Sequence, residues 1–505
     1  MNLETLWPHP RKMDILDEFP APKELSLSGP VDTPAFREDL VSIAGVRLAS
    51  GKSSYVVQSS LDPAAEAPEG YHLDVTPRGV TLVGADPAGL MYGSQTLLQV
   101  LALLRPRTDW PGVAIADHPA YRKRALMVDM GRSTFSLTYL KRIVRILARL
   151  KMNQLHLHLL DDQLCGIRFD GLPFGAENPH AITISDLAEL VRYAADYHVE
   201  IMPEIEGWAH VGSLVYHKPE LRGGTGMYDK GSSFLVGPKM FDLMRELTRQ
   251  VVDVLPPTGI VHFGLDEAQW FPDPAMPKTY TPSEMVRGYH DLLQDVASRA
   301  GKKMDMQVWA DHGGRAIPED VQPNCIIEPW QYWRKNAVDS YKFLGRYCAT
   351  PRMRWVMGAG QSVCHFRGAY YATALWCRIS TASANCEGPD VTVWGWNDLE
   401  ARFISLFAGA YFAWNPEAPT SWTTLNDDEV FDQQVYPIMS NFQWTFPDAH
   451  PERMAEDRGP VVLMGFYLGG KRHGQPVDPT AAVPGNSGWV WTEDHYSNES
   501  KTKSS

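Results

Sequence analysis

Two adjacent carboxylates, Asp266 and Glu267, follow an apolar segment that is predicted to be a β-strand, Ile260–Leu265. Neighbouring residues of a strand point to opposite sides, so a turn that starts at this pair can direct the two carboxylates to different atoms of one ligand. One of them can then hold a nucleophile while the other protonates a leaving group. The competing interpretation is that Asp266 caps a following helix and that Glu267 is only solvated.

The elements that must position this pair are short β-rich segments, which alternate with amphipathic helices from Arg124 onward. This order is typical of parallel βα units and predicts an α/β fold, a (β/α)8 TIM barrel, over residues 119–415. Ser136 and Ser185 are predicted to begin two of its helices. The predicted strands are Ala125–Asp129, Gln154–Leu160, Glu200–Ile205, Ile260–Leu265, Met304–Trp309, Cys325–Pro329, Arg354–Met357 and Val391–Gly395.

A small α+β accessory domain is predicted before the barrel, in residues 1–118. Asp86 and Pro87 are suited to begin its helix, as the N-cap and the first helical residue. The residues that follow this helix, Arg105–Pro119, are interpreted as a linker, and residues 416–505 as a C-terminal extension with a flexible tail. The predicted elements of the accessory domain are three strands, Ser54–Gln58, Tyr71–Val75 and Gly79–Val83, and a helix up to Leu104.

Polar and aromatic residues follow the predicted barrel strands, where the active sites of such barrels form. Carboxylates combined with several tryptophans indicate a sugar site, because a sugar ring offers apolar C–H faces for stacking and a rim of hydroxyls for charged acceptors. The residues at these strand ends are Asp129, Arg132, Asp161, Asp162, Glu206, His210, Asp266, Glu267, Trp309, Asp311, Trp330, Trp394 and Trp396.

The segment His262–Ala268, HFGLDEA, resembles the acid-pair motif of glycoside hydrolase family 20, the β-N-acetylhexosaminidases. Other parts of the chain agree in the correct order, over about residues 50–415, which makes the resemblance more specific than any one motif. They are Tyr71–Leu101 in the accessory domain, Arg124–Phe135 and Lys151–Asp161 around the first two barrel strands, Pro203–His210 after the third, and the tryptophans Trp309, Trp330 and Trp394.

This resemblance implies an exo-acting enzyme that releases terminal β-linked GlcNAc or GalNAc by substrate-assisted retaining hydrolysis, without a cofactor or metal. Asp266 would orient the acetamido group of the substrate, and Glu267 would donate the proton. The implied substrate-binding residues are Arg132 and Asp161 at the outer hydroxyls, Glu206 (where the family usually has Asp), His210, and the tryptophans Trp309, Trp330 and Trp394 around the N-acetyl group.

The sequence departs from the family pattern in two places. Trp396 occupies a position where the family usually has an acid that binds outer hydroxyls, and Asn397, Asp398 or Glu400 are candidates to replace that acid. The family also commonly supplies a tyrosine for the acetamido oxygen. Tyr370 is the candidate for that role, with the adjacent Tyr371 as the alternative.

Three other functions compete with this interpretation. His156 and His158 face the same way on one strand and, with Asp161, His210 and Asp398, could form the site of a metal-dependent hydrolase. The alternative for these histidines is that they bond neighbouring carboxylates in the barrel floor. A carbohydrate-binding barrel without catalysis is a second possibility. A double-displacement glycosidase, with Glu328 as nucleophile, is a third.

Composition limits the partners and the compartment. A net charge of −13 and a pI near 5.7 argue against nucleic acid and against an anionic membrane surface. They favour a neutral or small-molecule partner, which is compatible with the glycan substrate that the resemblance implies. The six cysteines are scattered and are interpreted as free thiols. Because the first 30 residues lack a signal-like apolar core, we expect a cytoplasmic protein. A homodimer is one assembly that the sequence allows.

Overall fold

The computed structural model describes most of the two predicted domains and part of the C-terminal extension. The described residues are 3–51, 53–176, 178, 180–223, 233–267, 280–310, 317–330, 332, 353–361, 367–395, 399–400, 402–417, 429, 431–458, 464–466, 471–472, 475–476 and 489–491.

The described part of the chain contains twenty strands, which form two large sheets and three sheets of two strands each. They are β1 (Lys12–Pro20), β2 (Ser26–Ser28), β3 (Val56–Leu61), β4 (Tyr71–Thr76), β5 (Gly79–Gly84), β6 (Asp109–Asp117), β7 (Ala125–Asp129), β8 (Gln154–His158), β9 (Ile167–Arg168), β10 (Ile182–Thr183), β11 (Glu200–Glu204), β12 (Thr258–His262), β13 (Lys303–Trp309), β14 (Cys325–Glu328), β15 (Arg354–Gln361), β16 (Cys386–Val393), β17 (Met464–Phe466), β18 (Lys471–Arg472), β19 (Gln475–Pro476) and β20 (Trp489–Trp491).

Helices cover these sheets. They are α1 (Pro34–Ser42), α2 (Pro87–Leu104), α3 (Leu137–Arg149), α4 (Ile184–Ala195), α5 (Gly212–His217), α6 (Pro238–Val254), α7 (Pro282–Arg299), α8 (Arg367–Ser380), α9 (Phe403–Trp414), α10 (Tyr436–Thr445) and α11 (Pro451–Arg458), with short 3-10 turns at Leu3–Thr5, Pro219–Leu221 and Gln322–Asn324 and a π-helical turn at Phe431–Val435. None of the helices that the described residues form is long and apolar enough to cross a membrane.

The N-terminal sheet has six strands in the order β1-β6-β4-β5-β3-β2. Helix α2 begins as predicted: Asp86 accepts the backbone N–H of Gly89 at 2.8 Å, and Pro87 is the first helical residue. The prediction that Arg105–Pro119 is a linker is wrong, because these residues contain β6, which pairs with both β1 and β4.

The Pro-Gly pair at residues 111–112 explains this error. Pro111 lies opposite Glu18, where β1 departs from regular register between Ile15 and Glu18. A proline lacks the backbone N–H that a regular ladder needs, and such irregularities are where strands accommodate it. Val113 and Ile115 follow it and are buried in the sheet core.

The second sheet is a closed barrel of eight strands in the order β7-β8-β11-β12-β13-β14-β15-β16, and all neighbouring pairs are parallel. The predicted TIM barrel, preceded by a small α+β unit, is therefore confirmed. Each predicted barrel strand is present, β7 with the predicted bounds and the other seven with one or both ends shifted. Strands β7 and β8 are buried along their whole length, as expected for parallel strands that helices cover from outside.

The helix starts and the C-terminal extension add detail to this architecture. Ser136 caps α3 as predicted, whereas α4 begins at Thr183, which forms a capping box with Asp186, and not at Ser185. From the extension, α11 packs on α3, and Arg142 of α3 forms an ion pair with Asp457. Within the described part of the chain, Cys165, Cys325, Cys377 and Cys386 are free thiols.

Candidate active site

The C-terminal ends of the barrel strands bring most of the predicted site residues to one rim. Strands β7, β8, β11 and β12 lead into the charged half of this rim, which consists of Asp129, Arg132, Asp161, Glu206, His210, Asp266 and Glu267. Strands β13, β14 and β16 lead into the aromatic half, which consists of Trp309, Trp330, Tyr332 and Trp394.

The turn that carries Asp266 and Glu267 has an unusual backbone. Gly264, Leu265 and Glu267 have φ angles of 64°, 67° and 42°, in the left-handed region. A non-glycine residue in this region costs roughly 1–2 kcal/mol. A side chain at position 264 would also place its Cβ 1.8 Å from Oε2 of Glu206. The surrounding structure therefore holds the acid pair in a conformation that the local sequence does not favour, which is typical of functional sites.

His210 links the two members of the acid pair to a second set of carboxylates. Its Nε2 lies 3.2 Å from Oε2 of Glu267 and 3.7 Å from Oδ2 of Asp266. Its Nδ1 lies 3.4 Å from Oδ1 of Asp161 and 3.7 Å from Oδ2 of Asp162. Burial lowers the pKa of His210, but Asp161 and Asp266 outweigh burial and raise it well above its usual value. The imidazole is therefore a cationic bridge between both groups of carboxylates.

Asp161 also anchors the only arginine of the charged half. Arg132 places Nη2 at 2.7 Å from Oδ2 of Asp161 and Nη1 at 2.9 Å from Oδ2 of Asp129. Burial favours the neutral acid, but Arg132, His210 and His158 together hold the pKa of Asp161 far below its usual value. Arg132 is fixed by two carboxylates and retains an exposed fraction of 24%, so it can bind a hydroxyl that approaches from the mouth.

Glu206 occupies the space that Gly264 leaves. Its side chain is 1% exposed, and within the described residues neither of its carboxyl oxygens has a hydrogen-bond partner. Burial and the nearby charge of Asp266 raise the pKa of Glu206 well above its usual value. The surroundings of this carboxyl therefore favour its neutral form, and its burial behind Asp266 does not place it as an exposed ligand for sugar hydroxyls.

The aromatic half forms a connected wall. The ring centroids of Trp309 and Trp394 are 5.7 Å apart, and those of Trp330 and Tyr332 are 5.5 Å apart in a stacked arrangement. The indole N–H of Trp394 donates to the hydroxyl oxygen of Tyr332 at 3.0 Å. The guanidinium carbon of Arg132 lies 5.4 Å from the ring centroid of Trp394, so the wall meets the charged half there.

Tyr332 is a site residue that the sequence analysis missed. It follows Trp330 by two positions after β14, and this spacing keeps both side chains on one side of an extended segment. Burial raises the pKa of Tyr332 well above its usual value, with Trp394, Glu328 and Asp266 among its charged or polar neighbours. The hydroxyl therefore stays protonated and can donate a hydrogen bond.

The prediction for Tyr370 is wrong. Its side chain is 1% exposed and packs between helices, with ring centroids 5.4 Å from Phe412 and 5.3 Å from Phe431. Tyr371 is buried beside it. Position 370 is the fourth residue of α8, and this helix turns the side chain into the layer that covers the barrel.

The remaining candidates either make other contacts in the structure or lie outside the described residues. Glu400 accepts the hydroxyl of Tyr139 at 2.8 Å and pairs with Arg458 at 2.9 Å, so its carboxylate is committed to helix packing. Glu328 is fully buried and accepts from Gln307 at 2.7 Å inside the barrel. Trp396, Asn397, Asp398 and Asp311 lie outside the described residues.

Beneath the rim, three histidines and several carboxylates fill the barrel interior. His156, Glu204 and His262 have potential metal-ligand atoms within 4.8 Å of one another. However, Nδ1 of His262 already accepts the backbone N–H of Gly264 at 2.9 Å, and His156 bonds Asp390 at 2.7 Å. This arrangement favours the interpretation in which histidines bond carboxylates in the floor, because the lone pairs that a metal would need are engaged.

Two family models match this chain. A model described as glycosyl hydrolase family 20, domain 2, matches residues 4–118, and one described as glycosyl hydrolase family 20, catalytic domain, matches residues 121–347. The Porphyromonas gingivalis beta-hexosaminidase is 32% identical over 192 residues, which cover 34% of this chain and 24% of that protein. The Cellulomonas fimi beta-N-acetylhexosaminidase is 30% identical over 319 residues, which cover 58% of this chain and 59% of that protein.

The chain thus spans about a quarter to three fifths of the length of these relatives. In structure it is similar to the Flavobacterium johnsoniae chitobiase, with a TM-score of 0.69 and 19% identity, over 90% of this chain and 74% of the other. At this identity the likeness establishes a shared fold.

Proposed function

Because the chain belongs to glycosyl hydrolase family 20, we propose that it is an exo-acting β-N-acetylhexosaminidase acting on the non-reducing ends of glycans. The terminal sugar released would be β-linked GlcNAc, GalNAc or both. The reaction would be retaining and substrate-assisted, so that the substrate itself supplies the nucleophile.

The observation that carries this proposal is the position of His210 between two acidic groups. It contacts Glu267 at 3.2 Å and Asp266 at 3.7 Å on one side, and Asp161 at 3.4 Å on the other. A cationic imidazole, held by Asp161, fixes the orientation of both members of the acid pair. The two carboxyls can then serve one substrate in different roles.

In the first step, the acetamido oxygen of the substrate attacks its anomeric carbon while the glycosidic C–O bond breaks. Glu267 gives its proton to the departing oxygen, and Asp266 accepts the acetamido N–H and stabilises the positive charge of the oxazolinium ring. In the second step, Glu267 takes a proton from water, and the resulting hydroxide opens the ring at the anomeric carbon with overall retention.

The aromatic half fits the other demand of this reaction, which is to hold the acetamido group against the anomeric carbon. Trp309 and Trp394 supply apolar faces at a centroid distance of 5.7 Å. Tyr332, which accepts the indole N–H of Trp394, has a hydroxyl proton to donate to the acetamido oxygen. Arg132, which Asp161 holds at 2.7 Å, would bind the outer hydroxyls of the same sugar.

The proposal is tested by the release of p-nitrophenol from a matched set of substrates. The set contains the β-GlcNAc, β-GalNAc and 6-sulfo-β-GlcNAc glycosides and, as controls, the plain β-glucoside and β-galactoside. We expect turnover only of the 2-acetamido sugars. Comparable turnover of the plain hexosides would require a nucleophile from the enzyme and would contradict the proposed mechanism, and binding without turnover would indicate a non-catalytic barrel.

A further inference from the structure

Glu204 is a carboxylate in the barrel interior that no step of the reaction uses. It is the last residue of β11 and is fully buried beneath the rim. Both of its oxygens accept hydrogen bonds from side chains that belong to other strands. Burying a charged carboxylate costs desolvation free energy, and the contacts that Glu204 makes must together offset that cost.

The first oxygen of Glu204 holds the aromatic half. Oε1 accepts the indole N–H of Trp309 at 2.7 Å. Trp309 is 1% exposed, so its indole has no water as an alternative partner. A hydrogen bond to an ionised acceptor is roughly twice as strong as a neutral one. The orientation of the Trp309 ring, which faces Trp394, therefore depends on Glu204.

The second oxygen of Glu204 reaches the charged half through one histidine. Oε2 accepts from Nδ1 of His158, and Nε2 of His158 lies 2.9 Å from Oδ2 of Asp161. An imidazole can donate to carboxylates at both nitrogens only when it carries two protons. Burial lowers the pKa of His158, but Glu204 and Asp161 outweigh burial and raise it to about 10.

Asp161 continues this line of contacts to the reacting groups. It pairs with Arg132 at 2.7 Å and contacts His210 at 3.4 Å, and His210 contacts Glu267 at 3.2 Å. An unbroken series of polar contacts thus runs from Trp309 to Glu267, and Glu204 is the residue from which both arms start.

We propose that Glu204 is a positioning residue that couples the acetamido-binding wall to the proton donor, through Trp309 on one arm and through His158, Asp161 and His210 on the other. This inference rests on the proposed function. It assigns Glu204 no contact with substrate. Loss of the Glu204 carboxylate would break contacts to both halves of the site, whereas Glu328 contacts neither Trp309 nor His158.

The charged and polar groups around Glu204 and His158 determine how a substitution at Glu204 would affect the protonation of His158. With Glu204 neutral, the carboxylate that stabilises the His158 imidazolium most is lost, so His158 would lose its proton at lower pH. The groups that face Glu204 or His158 are His156 of β8, Glu206 after β11, His262 of β12, Trp309 of β13, Asp161 after β8, Asp129 of β7 and Trp394 after β16.

The test is Glu204→Gln, which keeps the shape and removes the charge, compared with Glu328→Gln as a matched control. Glu328 is equally buried, but it contacts Gln307 and His262 rather than Trp309 or His158. For Glu204→Gln we expect kcat on the β-GlcNAc glycoside to fall about 10- to 100-fold, because the charged acceptor that holds both Trp309 and His158 is lost. We also expect the alkaline limb of the kcat pH profile to move to lower pH. Glu328→Gln should stay within about twofold of the wild type in kcat.

A purely structural role would give a different result. Glu204→Gln would then lose activity only in proportion to the folded fraction, with an unchanged pH profile, and this outcome would overturn the inference. If Glu204→Gln does not fold, His158→Gln tests the arm that leads to Asp161 and His210. It should lower kcat about tenfold with little change in KM, and unchanged kcat would equally overturn the inference. Wild-type protein that turns over no 2-acetamido substrate would instead refute the proposed function.

Discussion

The charged half and the aromatic half of the barrel rim differ in what holds their side chains in place. In the charged half, each carboxylate needs a partner that sets its protonation, and Arg132, His158 and His210 supply that for Asp161. In the aromatic half, packing does most of the positioning, and each indole needs only one acceptor for its N–H. Changes to the charged half should therefore act on chemistry, and changes to the aromatic half on the placement of the sugar.

The carboxyls below the rim follow the same division. Burial disfavours ionisation of Glu204, but the histidines around it outweigh burial and hold its pKa well below the usual value. Burial raises the pKa of Glu328, beneath the aromatic half, to about 7, with a contribution from Asp390. Equal burial thus leaves one carboxyl ionised and makes the other largely neutral below pH 7, because the number of close cationic partners differs.

The largest expected effect is that of Glu267→Gln in the charged half. On a substrate with a poor leaving group, such as a disaccharide, kcat/KM should fall by up to about 10⁴-fold, because protonation of the leaving oxygen is lost. On a dinitrophenyl glycoside, whose leaving group needs no proton, the loss should be much smaller. The measurement is kcat/KM across a series of leaving groups, and an equal loss on all of them would contradict the role of proton donor.

Asp266→Asn should have the next largest effect, with a different dependence on the leaving group. The amide no longer stabilises the positive oxazolinium ring, so kcat should fall about 10²- to 10³-fold. This loss should be similar for good and poor leaving groups, since Asp266 acts on the nucleophile. The same series checks it, and a loss confined to poor leaving groups would mean that the two roles are reversed.

In the aromatic half, Tyr332→Phe should cost about tenfold in kcat/KM, the equivalent of one hydrogen bond of about 1.4 kcal/mol. The affected interaction is with the acetamido group, so the effect should appear on both the GlcNAc and the GalNAc glycoside. Tyr370→Phe is the matched control, because that hydroxyl is buried among the helices that cover the barrel. Equal losses in both variants would show that packing, and not a hydrogen bond to substrate, is responsible.

Most of the barrel could be predicted from sequence because its strands are apolar and alternate with helices of clear amphipathic period. The linker prediction for Arg105–Pro119 failed because Pro111 and Gly112 have turn propensity, whereas their pairing with β1 and β4 depends on distant residues. Strand β1 was not predicted for a related reason. Most of its side chains are exposed, so it lacks the hydrophobic alternation that marks a half-buried strand.

The same distinction applies to the site. The strand ends placed Asp266, Glu267, His210 and Asp161 in one region, and the structure brings them together. Tyr332 was missed because a Trp-x-Tyr spacing identifies a shared side only once the segment is known to be extended. The helical position of Tyr370 directs it away from the mouth, and the Glu204 contacts join three strands, which no local pattern in the sequence reveals.

The smallest expected effect on activity, and a clear one on stability, comes from Glu328→Gln. Its folded-state pKa of about 7 is higher than the usual value near 4.5, so the folded state retains a proton that the unfolded chain releases. Glu328 therefore contributes stability that is present below pH 4.5 and is lost as pH rises to about 7. The glutamine variant mimics the neutral acid at every pH, so its stability does not fall in this way between pH 4.5 and 7.

The free energy of unfolding of Glu328→Gln, relative to the wild type, should consequently increase between pH 4.5 and 7, by roughly 1–3 kcal/mol. Denaturant unfolding of both proteins at a series of pH values measures this difference, and kcat at neutral pH checks that the site is intact. A difference that stays constant with pH would mean that Glu328 is ionised in the folded protein. The proposed difference in protonation between Glu204 and Glu328 would then be wrong, because the positive charge near Glu328 would stabilise its ionised form as it does for Glu204.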